Sequence, residues 1–471
     1  MSTRTLLSEI QTHGIRVHEI HTREELIQVL GIAAELEHNL MCQYLFAAYS
    51  LKRSTDEGLT EVQVERARRW GSAITMVARQ EMEHLGIALN LRSAIGGVPY
   101  LSRPNFPQRL DYYGKANIKT ELTPFSADTI RRFQEFEKPI GEVPPGWCDM
   151  PPEAAREFRR KALRNAPGAP LMAGRTRLQP HPFTFDSVQA LYLGIELGFQ
   201  NVAAKIGEKT LFIGPPDAQI WGGPGSPYEG SMDDLNQYDI DLVPVRNLKT
   251  ALAAIGIILE QGEGIAAPPD YVKYTHYCQY TQILHELEYD GFDAARPVVA
   301  NPLTAMHRDI TAPDEVHLIT NPETLEVAVV FNRTYELMLV MMLFLYGHHH
   351  KKPGEAHSFT DAIFFPLMTM FLRPLAEILT ELPAFPDPLA GNAGPGFELP
   401  NEIVALPNSA DLWGFLTERF DELTWDLRHL SLLKPGRTSN AIASRLRYIG
   451  DNMERLAKDW RDNWTDVGRT S

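Results

Sequence analysis

The 471-residue sequence predicts an all-α protein built around a four-helix bundle. Apolar residues recur every three to four positions over long stretches, whereas strand signals are sparse. Several acidic residues and histidines fall on the apolar faces of these predicted helices, a pattern typical of bundles that bind metal ions in their cores. Hydrophobic residues make up 44% of the chain and charged residues 22%, an ordinary globular balance.

The net charge of −15 argues against two classes of partner. Nucleic acids and anionic membranes both attract clustered Lys and Arg. The most apolar run, residues 338–346, is shorter than the roughly 20 residues that cross a bilayer. We therefore expect no nucleic-acid partner and no membrane insertion.

Three cysteines, Cys42, Cys148 and Cys278, lie far apart and form no CxxC pair. This spacing predicts neither a disulfide framework nor a zinc site. The N-terminus shows no apolar run typical of a signal peptide. A reducing, cytoplasmic location is the expectation.

Capping signals locate the first helices. Thr22 and Glu25 form a capping box, so helix one should begin near Thr22. The second helix should end at Gly96-Gly97, a typical C-terminal signal. Residues 100–185 are rich in Pro and aromatics and read as an insertion. Helices are expected over approximately 60–95, 126–136, 152–164, 187–206, 245–262 and 271–289.

Further helices are predicted beyond Pro297, over approximately 323–346 and 359–382, with one or two more ending near Trp464. Met-rich stripes in this region indicate core packing. We expect two parts: a metal-binding bundle over residues 1–295, with its loop-rich insertion at 100–185, and a C-terminal helical region over 296–471.

Glu37 lies on the apolar stripe of helix one, beside Ala33, Leu40 and Tyr44 on the helical wheel. A carboxylate facing the core is costly unless it is paired, protonated or bound to a metal. Glu37 is therefore a candidate ligand.

Glu81 and His84 share the apolar face of helix two, three residues apart, whereas Glu83 is expected on the solvent side. Helical bundles use Glu-x-x-His to bind two iron or manganese ions. Carboxylates with few imidazoles favour Fe or Mn over Zn or Cu. Joined to Glu37, this pair predicts a metal centre.

Three more residues are candidate ligands: Glu196, Glu263 and His276. Glu196 has a mostly apolar helix face, and Glu263 shares a face with Glu260 among small residues. Alternatively, Glu196 lies at a helix edge, Glu260 is solvated, and His276 is a core histidine. Hydrogen-bonding partners for the ligands are expected from Tyr44, Tyr192 and Tyr277.

Four segments, ELEHNLMCQYLFAAYSLK, RQEMEHLGIALNLRSAIGGVPYL, the IGEKTLFIG region and EQGEG…HY, occur in order over residues 15–290. Together they resemble the ferritin-like domain of the iminophenyl-pyruvate dimer synthases, the family that includes the violacein- and rebeccamycin-type enzymes. The resemblance implies functional residues at Glu37, Glu81, His84, Glu263 and His276, with Glu196 at an often acidic position. The chain departs from the family at Ala190, where many members carry an acid.

The resemblance implies an oxidoreductase with two metal ions, most simply iron with manganese as the alternative. O₂ or peroxide would serve as oxidant, and an amino-acid-derived imine or enamine would be coupled oxidatively in secondary metabolism. Three alternatives stay open: a di-metal oxygenase or N-oxygenase on another substrate, a non-catalytic metal-binding protein, and a heme held by His276. The sequence also leaves a homo-oligomer open. The tract His348-His349-His350 reads as a solvated turn.

Overall fold

The computed structural model describes residues 19–109, 119–139, 143, 145–149, 185, 187–215, 218–221, 242–262, 272–347, 363–399, 403, 410–432 and 440–464. Over these residues the fold is all-α, as predicted. The α-helices are α1 (Arg23–Tyr49), α2 (Glu61–Ala94), α3 (Ala127–Phe136), α4 (Val188–Ile206), α5 (Glu208–Leu211), α6 (Leu248–Gln261), α7 (His276–Asp290), α8 (Pro322–Gly347), α9 (Arg373–Leu379), α10 (Ala410–Ser431) and α11 (Asn440–Trp464).

Strands in the described residues are two residues long. β1 (Gln108–Arg109) pairs antiparallel with β2 (Lys119–Thr120), and β3 (Pro302–Leu303) pairs parallel with β4 (His317–Leu318). Each pair joins two connecting segments, and these strands form no separate sheet layer.

Local capping starts α1 and ends α2 where the sequence predicts. The Thr22 side chain accepts from the Glu25 amide at 3.1 Å, and the Glu25 carboxylate accepts from the Thr22 amide at 3.1 Å. After α2, Gly96 adopts a φ of +83°, the left-handed conformation that glycine tolerates best. Its amide and that of Gly97 donate to carbonyls in the last turn of α2.

The four-helix bundle consists of α1, α2, α4 and α6. α1 packs against α2 and α4, while α6 packs against α4 and α2, so the four helices close a ring. α7 lies beside α2 and packs on α3, the helix of the insertion. The ends of the insertion therefore cover the bundle at the place where α7 begins.

The C-terminal helices pack onto the bundle through α8, which contacts α2. The buried side chains Met338, Met341 and Met342 confirm the predicted Met-rich core. One hydrophobic core continues from Ile20 to Trp460, across the predicted boundary at residue 295. The division into two parts stays a prediction.

The predicted helix over 359–382 is described from Ile363 onward, and its first part, Ile363–Leu372, is a π-helix containing Pro366. Proline has no amide hydrogen to donate, so the wider π-turn accommodates it with less disruption of the hydrogen-bond ladder. The predicted helix over 152–164 and the tract His348–His350 lie outside the described residues. No helix in the described part of the chain is long and apolar enough to cross a membrane.

The prediction that the cysteines form no disulfide is wrong. Cys148 and Cys278 are bonded across a sequence separation of 130 residues, and the buried Cys42 is free. Spacing could not reveal this pair, because the fold brings the insertion onto α7 from a distant part of the chain. The argument from cysteine spacing for a reducing compartment therefore falls.

Candidate metal centre

Glu37 of α1 and the pair Glu81 and His84 of α2 meet inside the bundle. One ligand atom of each lies within 4.8 Å of the others. His84 Nδ1 lies 3.2 Å from Glu81 Oε2 and 3.9 Å from Glu37 Oε2. All three side chains are buried, because the apolar stripes on which they stand face the bundle axis.

Glu81 also belongs to a second group, with Glu137 at the C-terminal end of α3 and His276 at the start of α7. His276 Nδ1 lies 2.8 Å from Glu81 Oε1 and 3.3 Å from Glu137 Oε2. One oxygen of Glu81 therefore faces each histidine. This is the arrangement that a carboxylate needs to bridge two cations.

Glutamines orient both histidine rings from their outer sides. His84 Nε2 lies 2.9 Å from Gln261 Oε1, and His276 Nε2 lies 3.1 Å from Gln80 Oε1. An amide oxygen only accepts, so each Nε2 donates, and a neutral ring would then present its Nδ1 lone pair to a cation on the carboxylate side. Partners of this kind fix the tautomer of metal-binding histidines.

Two tyrosines hold the outer carboxylates. Tyr192 Oη donates to Glu37 Oε1 at 2.5 Å, and Tyr44 Oη donates to Glu137 Oε1. Both were expected as hydrogen-bonding partners of the site. Tyr277 instead packs against the small cluster around Trp147.

Burial and crowding dominate the electrostatics of this site. Burial, and then the charge of Glu81, raise the pKa of Glu37 well above its usual value. Burial alone would lower the pKa of His276, but Glu137 and Glu81 outweigh it and raise that pKa to about 10. Burial lowers the pKa of His84. The buried carboxylates can lie this close together only with cations or protons between them.

A pair of metal ions fits the residues present. Neither Glu37 Oε2 nor Glu81 Oε1 has a hydrogen-bond partner in the described residues, although both are buried. Glu81 Oε1 and His276 Nδ1 approach closely without forming an aligned hydrogen bond. Buried carboxylate oxygens that converge in this way are costly unless a cation or a proton lies between them. Carboxylate oxygens with imidazole nitrogens suit Fe or Mn.

A small cavity adjoins the two groups. It measures about 10 Å³ over the positions that a water-sized sphere can occupy, room for about one water molecule. Its apolar walls are side chains from α1, α4 and α6. Glu81, His84, Glu137, Gln189 and Tyr192 supply the polar lining.

The six predicted ligands have different outcomes. The fold brings Glu37, Glu81, His84 and His276 together. Glu196 is buried on α4, one turn after Tyr192, and belongs to neither group. Glu263 lies outside the described residues. The ligand role of all six stays a prediction.

Glu83 was expected on the solvent side, which is wrong, since only 2% of it is exposed. The helical wheel assigned it to the outer face of a two-sided helix. In the fold, α2 contacts α1, α6, α7 and α8, so most of its circumference is covered.

Glu137 is the residue that the sequence argument missed. It lies four residues after Phe133 and seven after Ile130, both buried on the apolar face of α3. A helical wheel of residues 126–137 shows this alignment, as it does for Glu37. The residue escaped notice because α3 belongs to the insertion and not to the bundle.

The sequence matches the model of a known protein family. The ferritin-like family model matches residues 30–285, more than half of the chain, and the chain belongs to that family. It is 24% identical to dichlorochromopyrrolate synthase of Lentzea aerocolonigenes over 88% of its length, and 24% identical to 2-imino-3-(indol-3-yl)propanoate dimerase of Chromobacterium violaceum over 93%. The resemblance to the violacein- and rebeccamycin-type enzymes is confirmed. The alignment covers about 40% of each relative's own length.

A crystal structure of a ferritin-like protein from Caulobacter vibrioides is 15% identical to this chain. The two align over 80% of this chain and 99% of that one, with a TM-score of 0.46.

Proposed function

We propose that the protein is a non-heme di-metal oxidoreductase that holds two ions, most simply iron, between Glu37, Glu81, His84, Glu137 and His276. The observation that carries the proposal is Glu81, whose two oxygens face two separate histidines. Ferritin-like bundles use such a bridging carboxylate to hold two ions close together. Glu196 and Glu263 remain candidate ligands from the sequence.

The residues of the chain would hold the two ions, orient their ligands and shield the site from water. Two metal ions of this type would supply redox chemistry toward O₂ or peroxide. Tyr192 and Tyr44 fix the outer carboxylates, and Gln261 and Gln80 fix the imidazoles. The apolar walls of the cavity exclude bulk water, which strengthens every electrostatic interaction inside it.

The substrate we propose is an amino-acid-derived imine or enamine, coupled oxidatively in secondary metabolism. The names of the two relatives support this class, since one of them dimerises an indole-bearing imino acid. A cytoplasmic location and a homo-oligomer stay predictions.

The test is the metal content of purified protein after anaerobic reconstitution with Fe²⁺. About two irons per chain are expected for the wild type and close to none for Glu81→Gln, which keeps the size of the side chain. Glu260→Gln is the matched control, because Glu260 is exposed at the end of α6. It should keep the wild-type content.

Full iron content in Glu81→Gln would overturn the site. Iron-loaded wild type that consumes no O₂ with any aromatic imino acid would overturn the substrate class while leaving the metal centre in place.

A further inference from the structure

The Cys148–Cys278 disulfide joins the two chain segments that supply one half of the metal centre. Cys278 lies two residues after His276 in the first turn of α7. Cys148 lies in the 3₁₀ turn Trp147–Asp149, eleven residues after Glu137. The bond therefore ties a position eleven residues after Glu137 to a position two residues after His276.

The surroundings of the disulfide are separate from the main core. Trp147, Val272 and Cys278 form a small cluster of their own, with Cys148 and Tyr277 packed against it. Such a small cluster buries little apolar surface, so the covalent bond is a large part of what holds the turn against α7.

The two halves of the centre differ in their dependence on this bond. Glu37, Glu81 and His84 stand in the middle of the long helices α1 and α2. Glu137 and His276 stand at helix ends, Glu137 as the C-terminal cap of α3 and His276 as the first residue of α7. Helix ends open more readily than helix interiors.

We propose that Cys148 and Cys278 form a reversible thiol–disulfide switch that controls occupancy of the Glu81–Glu137–His276 half of the centre. A dithiol reductant would convert the disulfide into two thiols, with two electrons and two protons passing to the cysteines and the reductant becoming a disulfide. Cys148 is only partly buried and offers the first sulfur for attack. In the cytoplasm, the location predicted from the sequence, disulfides are usually catalytic or redox-sensing. The inference rests on the proposed di-metal function.

The experiment titrates Mn²⁺ into metal-free protein before and after treatment with dithiothreitol, under argon. Alkylation in denaturant checks the thiol state: one cysteine should react before reduction, and all three after it. Reduction should weaken the second Mn²⁺ by about 10- to 100-fold, the usual effect of losing groups that hold metal ligands in place. The first Mn²⁺ should bind as before.

Cys148→Ser/Cys278→Ser should behave like the reduced wild type, and Cys42→Ser should keep the redox response. If the double variant fails to fold, reduction of the folded wild type still tests the proposed switch. Unchanged affinity for both ions in fully reduced protein would overturn the switch, as would three reactive thiols in protein that has met no reductant.

Amide hydrogen exchange on metal-free protein separates this inference from the proposed function. Reduction should speed exchange in residues 133–139 and 276–280 and leave residues 78–86 unchanged. Oxidised protein that binds no metal would overturn the proposed function and the switch over metal. Unchanged exchange on reduction would overturn the coupling between the disulfide and these segments, whatever the metal content.

Discussion

Tyr335 of α8 donates a 2.5 Å hydrogen bond to Nε2 of His38 on α1. His38 Nδ1 lies 3.0 Å from the carbonyl of Leu101, which only accepts, so Nε2 is left as the acceptor for the phenol. His38 is the neighbour of Glu37 in the sequence. The C-terminal helices are thus joined by a buried polar contact to the helix that carries a predicted ligand.

Tyr335→Phe should lower the free energy of unfolding by about 1–3 kcal/mol, the usual cost of leaving buried polar groups unpaired. The change removes the partner of His38 Nε2 and an acceptor of Arg103 Nη2, which lies 3.3 Å from the phenol oxygen. Chemical denaturation measures the effect. Tyr448→Phe is the control, because Tyr448 is 62% exposed. Equal effects for both variants would contradict the role assigned to the buried contact.

Glu137→Gln should leave one tightly bound metal ion per chain where the wild type binds two. The amide cannot carry the negative charge that Glu137 directs at His276. Metal titration followed by elemental analysis measures this stoichiometry. Glu196→Gln is the comparison variant. Glu196 was predicted as a ligand from the sequence, whereas Glu137 was found in the cluster of the structure. If Glu196→Gln loses an ion and Glu137→Gln loses none, the ligand set needs revision.

Replacing His348, His349 and His350 together by Ala should leave the metal content unchanged. The tract follows a helix end and precedes Lys-Lys-Pro-Gly, a composition typical of a solvated turn. Elemental analysis of the reconstituted triple variant is the measurement. Loss of even one equivalent of iron would mean that the tract contributes a ligand.

His307 should make stability depend on pH. Its Nε2 lies 2.8 Å from Glu398 Oε2. The hydrogen bond to Glu398 raises the pKa of His307, against the opposing effect of partial burial and with help from the charges of Glu398 and Asp309. Because the pKa is higher in the folded state, the stabilisation is full below the unfolded value of about 6.5. It is lost as pH rises through the folded pKa.

The difference in unfolding free energy between the wild type and His307→Gln should therefore be largest below about pH 6.5 and shrink as the pH rises above that value. Denaturation at a series of pH values measures it. A difference that grows with pH would show that the folded-state pKa is lowered.

Removing metal should lower the thermal midpoint, since the ions bind the folded state and oppose repulsion among buried carboxylates. Free metal at 100 times its dissociation constant stabilises by about 2.7 kcal/mol. Thermal scans with and without a chelator measure the shift. In Glu81→Gln the chelator should have little effect, and a full shift in that variant would place the stabilising metal elsewhere.

Features set by local sequence could be predicted. The Thr22–Glu25 capping box and the Gly96 turn each depend on a few neighbouring residues. The sequence therefore predicted where α1 begins and where α2 ends. The apolar faces beneath Glu37, Glu81 and His84 are likewise local, and these faces turn toward the same axis.

Features set by long-range packing could not be predicted. Glu83 is buried on α2, a helix that packs against α1, α6, α7 and, from far along the chain, α8. Glu137 reaches the centre, and Cys148 reaches Cys278, only because the insertion folds back onto α7. The apolar periodicity within the insertion or within α7 does not indicate that the two pack together.

The double role of Glu81 has a consequence for charge balance. The three carboxylates of the two groups, Glu37, Glu81 and Glu137, offset three of the four positive charges that two divalent ions would bring, while the two imidazoles contribute none. Where neither Glu196 nor Glu263 adds its charge, the remaining excess of one positive charge favours an anion as the next occupant. The carboxylate of an imino acid carries one negative charge. Charge neutrality alone would therefore select such acids over their esters or amides.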